Sequence, residues 1–279
     1  MVEIVVLVKQ VPDTNAKIEV KEGRTDLSMV KWITSPYDEY AIEVALQHKE
    51  ASGGTVTALT LGPARCEKVL KDSKALGVDN IARIDVEEGY VDSAAVQSML
   101  AEACKSIGAE VVYCGKAAAD TNAGSTGPGV AEKLGWPSVA NATSVSFGGT
   151  SLEIMQPSSE GQAKVEANLP VVVTCDKGTA EPRRANVKGI MMAKRAQVNV
   201  ISANAPAPSV SIISQTPPPA KPNLKPSYSI IFPSTNSILS PAIFFIIDIE
   251  STFPGIIHTS WLPSSLKTSS YCNSTASSI

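Results

Sequence analysis

Short apolar runs at residues 2–8, 55–61, 80–85 and 111–114 alternate with segments of helical character, and few folds accommodate that order. Each run has the length and composition of a buried strand. Between the first two, Ser35-Pro36-Tyr37-Asp38-Glu39 marks a helix start: Ser35 can cap, Pro36 fits the first turn, and the two acids suit the positive end of the helix. That helix is predicted to run through Ala41, Val44 and Leu46 to Ser52-Gly53-Gly54, with His48 on it as an exposed or half-buried structural histidine. A second helix over 64–76 is stopped by Gly77, and a third runs from Asp92 through Met99, Leu100 and Ala103 to Gly108. The alternation predicts an α/β, doubly wound, mostly parallel sheet with helices on both faces. Ligands of such sheets lie beyond the carboxyl ends of the strands, where Gln10-Val11-Pro12, Gly62-Pro63 and residues 115–127 would come side by side. Residues 9–14 read as a loop, because Pro12 excludes helix; residues 16–20 and 30–34 read as short strands.

Residues 111–137 hold the densest chemistry. The run Val111-Val112-Tyr113-Cys114 enters a turn of small residues, Asp120-Thr121-Asn122-Ala123-Gly124-Ser125-Thr126-Gly127, and then a helix through Val130, Ala131 and Leu134, closed by Gly135-Trp136-Pro137. A strand feeding a Gly/Ser/Thr turn that opens a helix can cradle a phosphate. Free N–H groups at the helix start converge, the hydroxyls of Ser125 and Thr126 can join them, and the glycines admit a ligand to the backbone. The same residues also suit a plain strand-to-helix turn with Asn122 or Ser125 as its cap, since neither a P-loop nor a Gly-x-Gly-x-x-Gly turn is present.

After Pro137 the pattern changes. Residues 139–147, 151–156 and 162–168 alternate like antiparallel strands, a small addition to the parallel sheet, and 171–175 returns as a buried strand. Residues 177–195 are basic and punctuated by Pro and Gly. Their Ile190-Met191-Met192 either forms an adaptable docking surface or packs a helix onto the core. The organisation expected is a domain over 1–202, a Pro/Ala-rich linker over 203–226 and an atypical, low-charge, poorly structured tail over 227–279. The apolar run at 243–247 in that tail is too short to span a bilayer.

The net charge of −3 gives no reason to expect nucleic acid or an anionic membrane as partner. Five scattered cysteines without a Cys-x-x-Cys pair argue against a disulfide scaffold or a thiolate metal site and for a reducing compartment. With two histidines, His48 and His258, most histidine-based metal and triad chemistry is removed. The chain opens on a strand without a leader-like segment, so a cytoplasmic location is expected, or the mitochondrial matrix in a eukaryote.

Several segments, in order and at family-like spacing from Met1 to about Val200, resemble the β subunit of electron transfer flavoprotein. They are Val8-Lys9-Gln10-Val11-Pro12-Asp13, Ser35-Pro36-Tyr37-Asp38-Glu39, Leu61-Gly62-Pro63, Gly115-Lys116 through Pro128, and Glu181-Pro182-Arg183 with Lys188-Gly189-Ile190-Met191-Met192. The resemblance implies a Rossmann-like, adenine-nucleotide-binding fold paired with an α subunit that holds most of the FAD. It implies a buried AMP bound by Leu7, by Ser35, Pro36, Tyr37 and Asp38, by Leu61, and by the turn Asp120, Thr121, Asn122, Ala123, Gly124, Ser125, Thr126, Gly127, Pro128, Gly129, Val130 and Ala131. It further implies a recognition segment in which Glu181, Arg183, Val187, Ile190 and Met191 meet acyl-CoA and other flavin dehydrogenases, with a quinone-reducing oxidoreductase as acceptor.

Two departures stand out. The family's turn commonly reads Asp-x-Asp-x-x-Gln-x-Gly; here Asn122 replaces a carboxylate and Ser125 a long amide, so that contact is expected to be shorter or water-bridged. The family also closes with a charged arm around the α subunit, which nothing after about Lys225 resembles; an out-of-frame end or a lineage-specific tail accounts for this. Other functions fit less well. An electron-bifurcating subunit would bind a second FAD and oxidise NADH, but its turn reads closer to Asp-Thr-x-Gln-Val-Gly. A stand-alone nucleotide sensor has no use for the basic 177–195 segment, and the Ser-Gly-Gly-x-Asp-Ser loop of ATP pyrophosphatases is absent.

Overall fold

The computed structural model describes residues 2–87, 89, 91–202, 206 and 209–217; everything from 218 onward, including the tail expected over 227–279 and its apolar run, lies outside them. In chain order the elements are strands β1 (Val2–Leu7), β2 (Gln10–Pro12), β3 (Glu19–Lys21), β4 (Arg24–Asp26) and β5 (Trp32–Thr34), helix α1 (Pro36–Ser52), strand β6 (Gly54–Gly62), a 3-10 turn (Ala64–Cys66), helix α2 (Glu67–Leu76), strand β7 (Asn80–Asp85), helix α3 (Ser93–Ile107) and strand β8 (Val111–Gly115). Helix α4 (Thr126–Leu134) follows, then strands β9 (Ser138–Ala142), β10 (Ser144–Phe147), β11 (Ser151–Ser158), β12 (Gly161–Asn168) and β13 (Val171–Cys175), helix α5 (Val187–Arg195) and strand β14 (Asn199–Ile201).

The first apolar run becomes the central strand of a seven-stranded parallel sheet, ordered β14-β7-β6-β1-β8-β13-β9. Strand alternation divides its side chains between two cores. Ile4 and Val6 face α1 and α2, while Val5 and Leu7 face α3 and α4. Both faces are therefore covered, which is why these strands read as continuous apolar runs. The chain steps outward from β1 to β6 to β7, and α3 then carries it back to β8 on the other side of β1. The reversal puts the switch point, and the expected ligand crevice, between the ends of β1 and β8.

A single carboxyl closes that point. The ladder between β1 and β8 ends at the Val6–Tyr113 pair. Beyond it, Asp38 in the first turn of α1 accepts the Lys9 amide at 2.8 Å on one oxygen and the Gly115 amide at 3.1 Å on the other. Position 115 must be glycine for this, because a Cβ there would stand 2.5 Å from the Asp38 carboxylate and 2.7 Å from the Tyr37 Cβ.

Three readings change, and the alternatives left open around residues 190–192 narrow to a helix. The run at 139–147 is not one antiparallel strand. Asn141 takes a left-handed φ of 55° and donates its amide to the Thr174 hydroxyl at 2.9 Å, which bends the chain. β9 thus stays in the parallel sheet beside β13, and β10 leaves to form an antiparallel sheet with β11 and β12. Residues 10–12, read as loop, pair with β5. Residues 187–195 form a helix, capped by the Asn186 side chain, which accepts the Gly189 amide at 2.7 Å. His48 is wholly buried: its Nδ1 lies 3.0 Å from the Tyr113 hydroxyl and its ring stacks on Phe147 of β10 at 4.7 Å. No helix among the described residues is long and apolar enough to cross a membrane.

Two outcomes are expected. Gly115→Ala should lower stability by about 1–3 kcal/mol through overpacking at the crevice, read as a shifted denaturant midpoint; an unchanged midpoint would mean that the start of α1 retreats freely. Burial pushes the His48 imidazole down to about 4, below the roughly 6.5 of an unfolded chain. Between those values the unfolded chain binds a proton that the folded one refuses, so His48 favours folding above about pH 6.5, and that contribution is lost as pH falls towards 4. The stability gap between the native chain and His48→Gln should therefore narrow on acidification, by up to about 1.4 kcal/mol per pH unit. A gap independent of pH would contradict the buried neutral imidazole.

Candidate functional site

The ends of β1, β6 and β8 and the starts of α1 and α4 surround the crevice. Leu7, buried, and Leu61, half-buried, end two of these strands with apolar side chains. Ser35 stands at the N-cap position of α1 without capping it. Its amide donates to the Lys9 carbonyl at 2.9 Å, and its hydroxyl is buried with no partner among the described residues. The Thr60 hydroxyl, near the carboxyl end of β6, is likewise buried without one. Native interiors rarely leave such groups unsatisfied, so each asks for a partner.

Asp38 does more than favour a helix dipole. Burial pushes its carboxyl up to about 7, against the lowering pull of the Lys9 and Gly115 amides and of the Lys9 charge, with Asp120 adding to the rise. Lys9, given no role of its own in the sequence, sends its ammonium to Asp120 at 2.7 Å. Lys116, at the far end of β8, pairs with Asp176 at 2.7 Å and lies 4.9 Å from the centre of the half-buried Tyr37 ring. Pro36 begins α1 and turns no polar group into the crevice.

The turn after β8 separates into two parts. Asp120, Thr121, Asn122, Ala123 and Gly124 are exposed, with Asn122 in the left-handed region at φ 50°. Neither Asn122 nor Ser125 caps α4: Ser125 occupies the N-cap position with no side-chain hydrogen bond. The amides of Thr126 and Gly127 precede the first intrahelical donor, that of Gly129, and Pro128 has none. The helix start therefore offers free donors, with an exposed Thr126 hydroxyl beside them. It lies close on the sheet because position 127 has no side chain; a Cβ there would meet the Cys114 sulfur at 2.8 Å. Gln97 of α3 holds the turn from the other side by donating to the Ser125 carbonyl at 3.0 Å. Val130 and Ala131 bury their side chains against α3, so only their backbone is available to a ligand.

The basic segment lies apart from the crevice. Glu181 and Val187 are exposed, Val187 by 75%, and Ile190, Met191 and Met192 of α5 also face solvent. Arg183 is turned inward onto Glu43 and Glu50 of α1. Sequence reasoning missed Glu43, although a carboxylate inside the apolar run Ala41-Ile42-Glu43-Val44-Ala45-Leu46 is the signal of a buried cation partner.

The family model of the electron transfer flavoprotein domain matches residues 27–206. The electron transfer flavoprotein subunit beta of Bacillus subtilis is 35% identical over 192 residues, covering 68% of this chain and 75% of that one. Its counterpart in Megasphaera elsdenii is 33% identical over 229 residues, covering 78% and 85%. The acryloyl-CoA reductase electron transfer subunit gamma of Anaerotignum propionicum is 34% identical over 194 residues, covering 67% and 73%. With the parallel sheet, these matches establish that the chain belongs to the electron transfer flavoprotein β-subunit family.

Proposed function

We propose that this chain is the β half of a heterodimeric electron carrier. With an α subunit and FAD it takes electrons from acyl-CoA and related dehydrogenases, passes them to a quinone-reducing acceptor, and binds AMP in the crevice between β1 and β8. The nucleotide reading rests on two features at the switch point: the uncapped start of α4, and the buried Ser35 hydroxyl, which has no partner among the described residues. Backbone donors at a helix start favour a phosphate without a metal ion. The amides of Thr126 and Gly127 and the hydroxyls of Ser125 and Thr126 would hold it, with Leu7 and Leu61 as apolar neighbours for a base and Ser35 as a further hydrogen-bonding group.

Bound FAD would supply reversible electron transfer. This chain's contribution is to complete the heterodimer and to dock the donor. The exposed side chains of α5 support the docking role, with Val187 as its anchor, since apolar groups this open on a basic helix suit a transient interface. A second reading is an electron-bifurcating subunit with a second FAD in the crevice. The likeness to an electron transfer subunit of a reductase favours it.

The deciding experiment is to purify the chain with its α partner, denature it and quantify what is released. One FAD and one AMP per heterodimer are expected; two FAD would favour bifurcation, and FAD with no second adenylate would overturn the nucleotide site. Ser35→Ala and Thr126→Ala should each weaken AMP retention by about 1.5–3 kcal/mol, the range of a hydrogen bond to a charged group. Val187→Ala should slow electron transfer from an acyl-CoA dehydrogenase by about 1–2 kcal/mol while FAD and AMP contents stay unchanged. Normal transfer with lost flavin would assign α5 to the core instead.

A further inference from the structure

Helix α5 has little of its own to hold it. Of its nine residues only Ala193 is buried, and it rests on α2. A helix this short is unstable alone and takes its orientation from tertiary contacts. The segment leading into it is tied elsewhere. Arg183 grips Glu43 with two parallel bonds, Nε to Oε2 at 2.7 Å and Nη2 to Oε1 at 2.9 Å. It reaches Glu50, two turns further along α1, through Nη1 at 2.6 Å and Nη2 at 3.2 Å, and its own amide donates to Glu43 at 3.2 Å. Gln47 supplies Glu43 with another donor at 3.0 Å. Burial alone would push the Glu43 carboxyl up; Arg183 and Gln47 outweigh it and hold the group below the usual carboxylate range.

We propose that Arg183 is a positioning residue: by clamping the entry to α5 onto Glu43 and Glu50 of α1, it fixes the angle at which Val187 and Met191 are presented to the dehydrogenase, and it does not itself contact that partner. The proposal rests on the docking role given above to α5. Its basis is that the guanidinium fork is already taken. Both its bidentate edge and its outer nitrogen are engaged within the chain, so no fork remains for a partner's carboxylate. Cations free for that task lie nearby: Arg184, Lys188, Lys194 and Arg195 are exposed and make no ion pair among the described residues. Glu43 is 5% exposed and cannot touch a partner, which makes it the discriminating residue.

The test uses the heterodimer and follows electron transfer from an acyl-CoA dehydrogenase as the dehydrogenase concentration is varied. Arg183→Gln, Glu43→Gln, their double variant, Arg183→Lys and Val187→Ala are compared. Arg183→Gln and Glu43→Gln should each raise KM for the dehydrogenase roughly tenfold, with kcat, FAD and AMP contents unchanged. The double variant should be no worse than either single one, because both remove the same link. Arg183→Lys should recover part of the loss. A raised KM in Arg183→Gln with a normal one in Glu43→Gln would mean direct contact and overturn the proposal. So would lowered thermal midpoints with KM unchanged in both, the mark of a purely structural pair. If Val187→Ala leaves KM unaltered, the docking reading of α5 fails first, and the positioning role with it; a Val187 effect beside an inert Glu43→Gln sinks the positioning role alone.

Discussion

Everything at the ligand end of the sheet depends on one carboxyl spanning a gap. A doubly wound sheet must part where its winding reverses, and parted strands leave amides without ladder partners. Asp38 satisfies the Lys9 and Gly115 amides with its two oxygens and so holds the crevice at a fixed width. The short aspartate side chain and the missing side chain at 115 are two halves of one constraint: either a longer acid or a Cβ would push α1 off the sheet. The same burial raises the carboxyl to about 7. At neutral pH it therefore carries less than a full negative charge, which limits the repulsion it would exert on an anion at the start of α4.

Helix α1 is the element through which the distant parts of the domain meet. Three of its polar residues are buried, and each serves a different neighbour. Asp38 holds the crevice, Glu43 holds the segment before α5, and His48 meets Tyr113 of the central sheet and Phe147 of the antiparallel one. Burial makes each contact stronger and makes loss of one partner costly, since the other is left unsatisfied. The crevice and the segment that leads into α5 are thereby fixed to the same helix.

The parallel sheet was legible because both its faces are covered, and strands of that kind announce themselves as uninterrupted apolar runs beside well-punctuated helices. The start of α4 was legible because a Gly, Ser and Thr turn punctuates the chain between an apolar run and the helical spacing of Val130, Ala131 and Leu134; whether that turn holds a phosphate was not. What escaped depends on contacts across long stretches of chain. Asp38 reads as an ordinary acid in a first helical turn, and nothing local ties it to Gly115, 77 positions away. Arg183 and Glu43 are 140 positions apart, so an inward-turned arginine was read as an outward-facing one. The break at 141–143 escaped because alternation fits parallel and antiparallel strands alike. What decides it is a backbone turn at Asn141, a residue that tolerates the left-handed region but does not demand it.

The exposed face of α5 poses the opposite problem from the crevice. Val187, Ile190, Met191 and Met192 lie open on one short helix, and a patch of that kind invites self-association. Its charge pattern works against that outcome. Arg184, Lys188, Lys194 and Arg195 surround the apolar side chains without ion-pair partners among the described residues, so two copies of this face repel one another before their methionines can meet. A partner with acidic residues around an apolar pocket meets attraction in place of that repulsion, and at higher ionic strength the discrimination weakens. In the docking role proposed for α5, specificity would come from the cations at its edge, affinity from the apolar anchors, and orientation from the helix beneath. Three separate demands would then be met by three separate sets of residues, and a carrier of the proposed kind, which would release each partner after one transfer, is better served by that division than by a single tight contact.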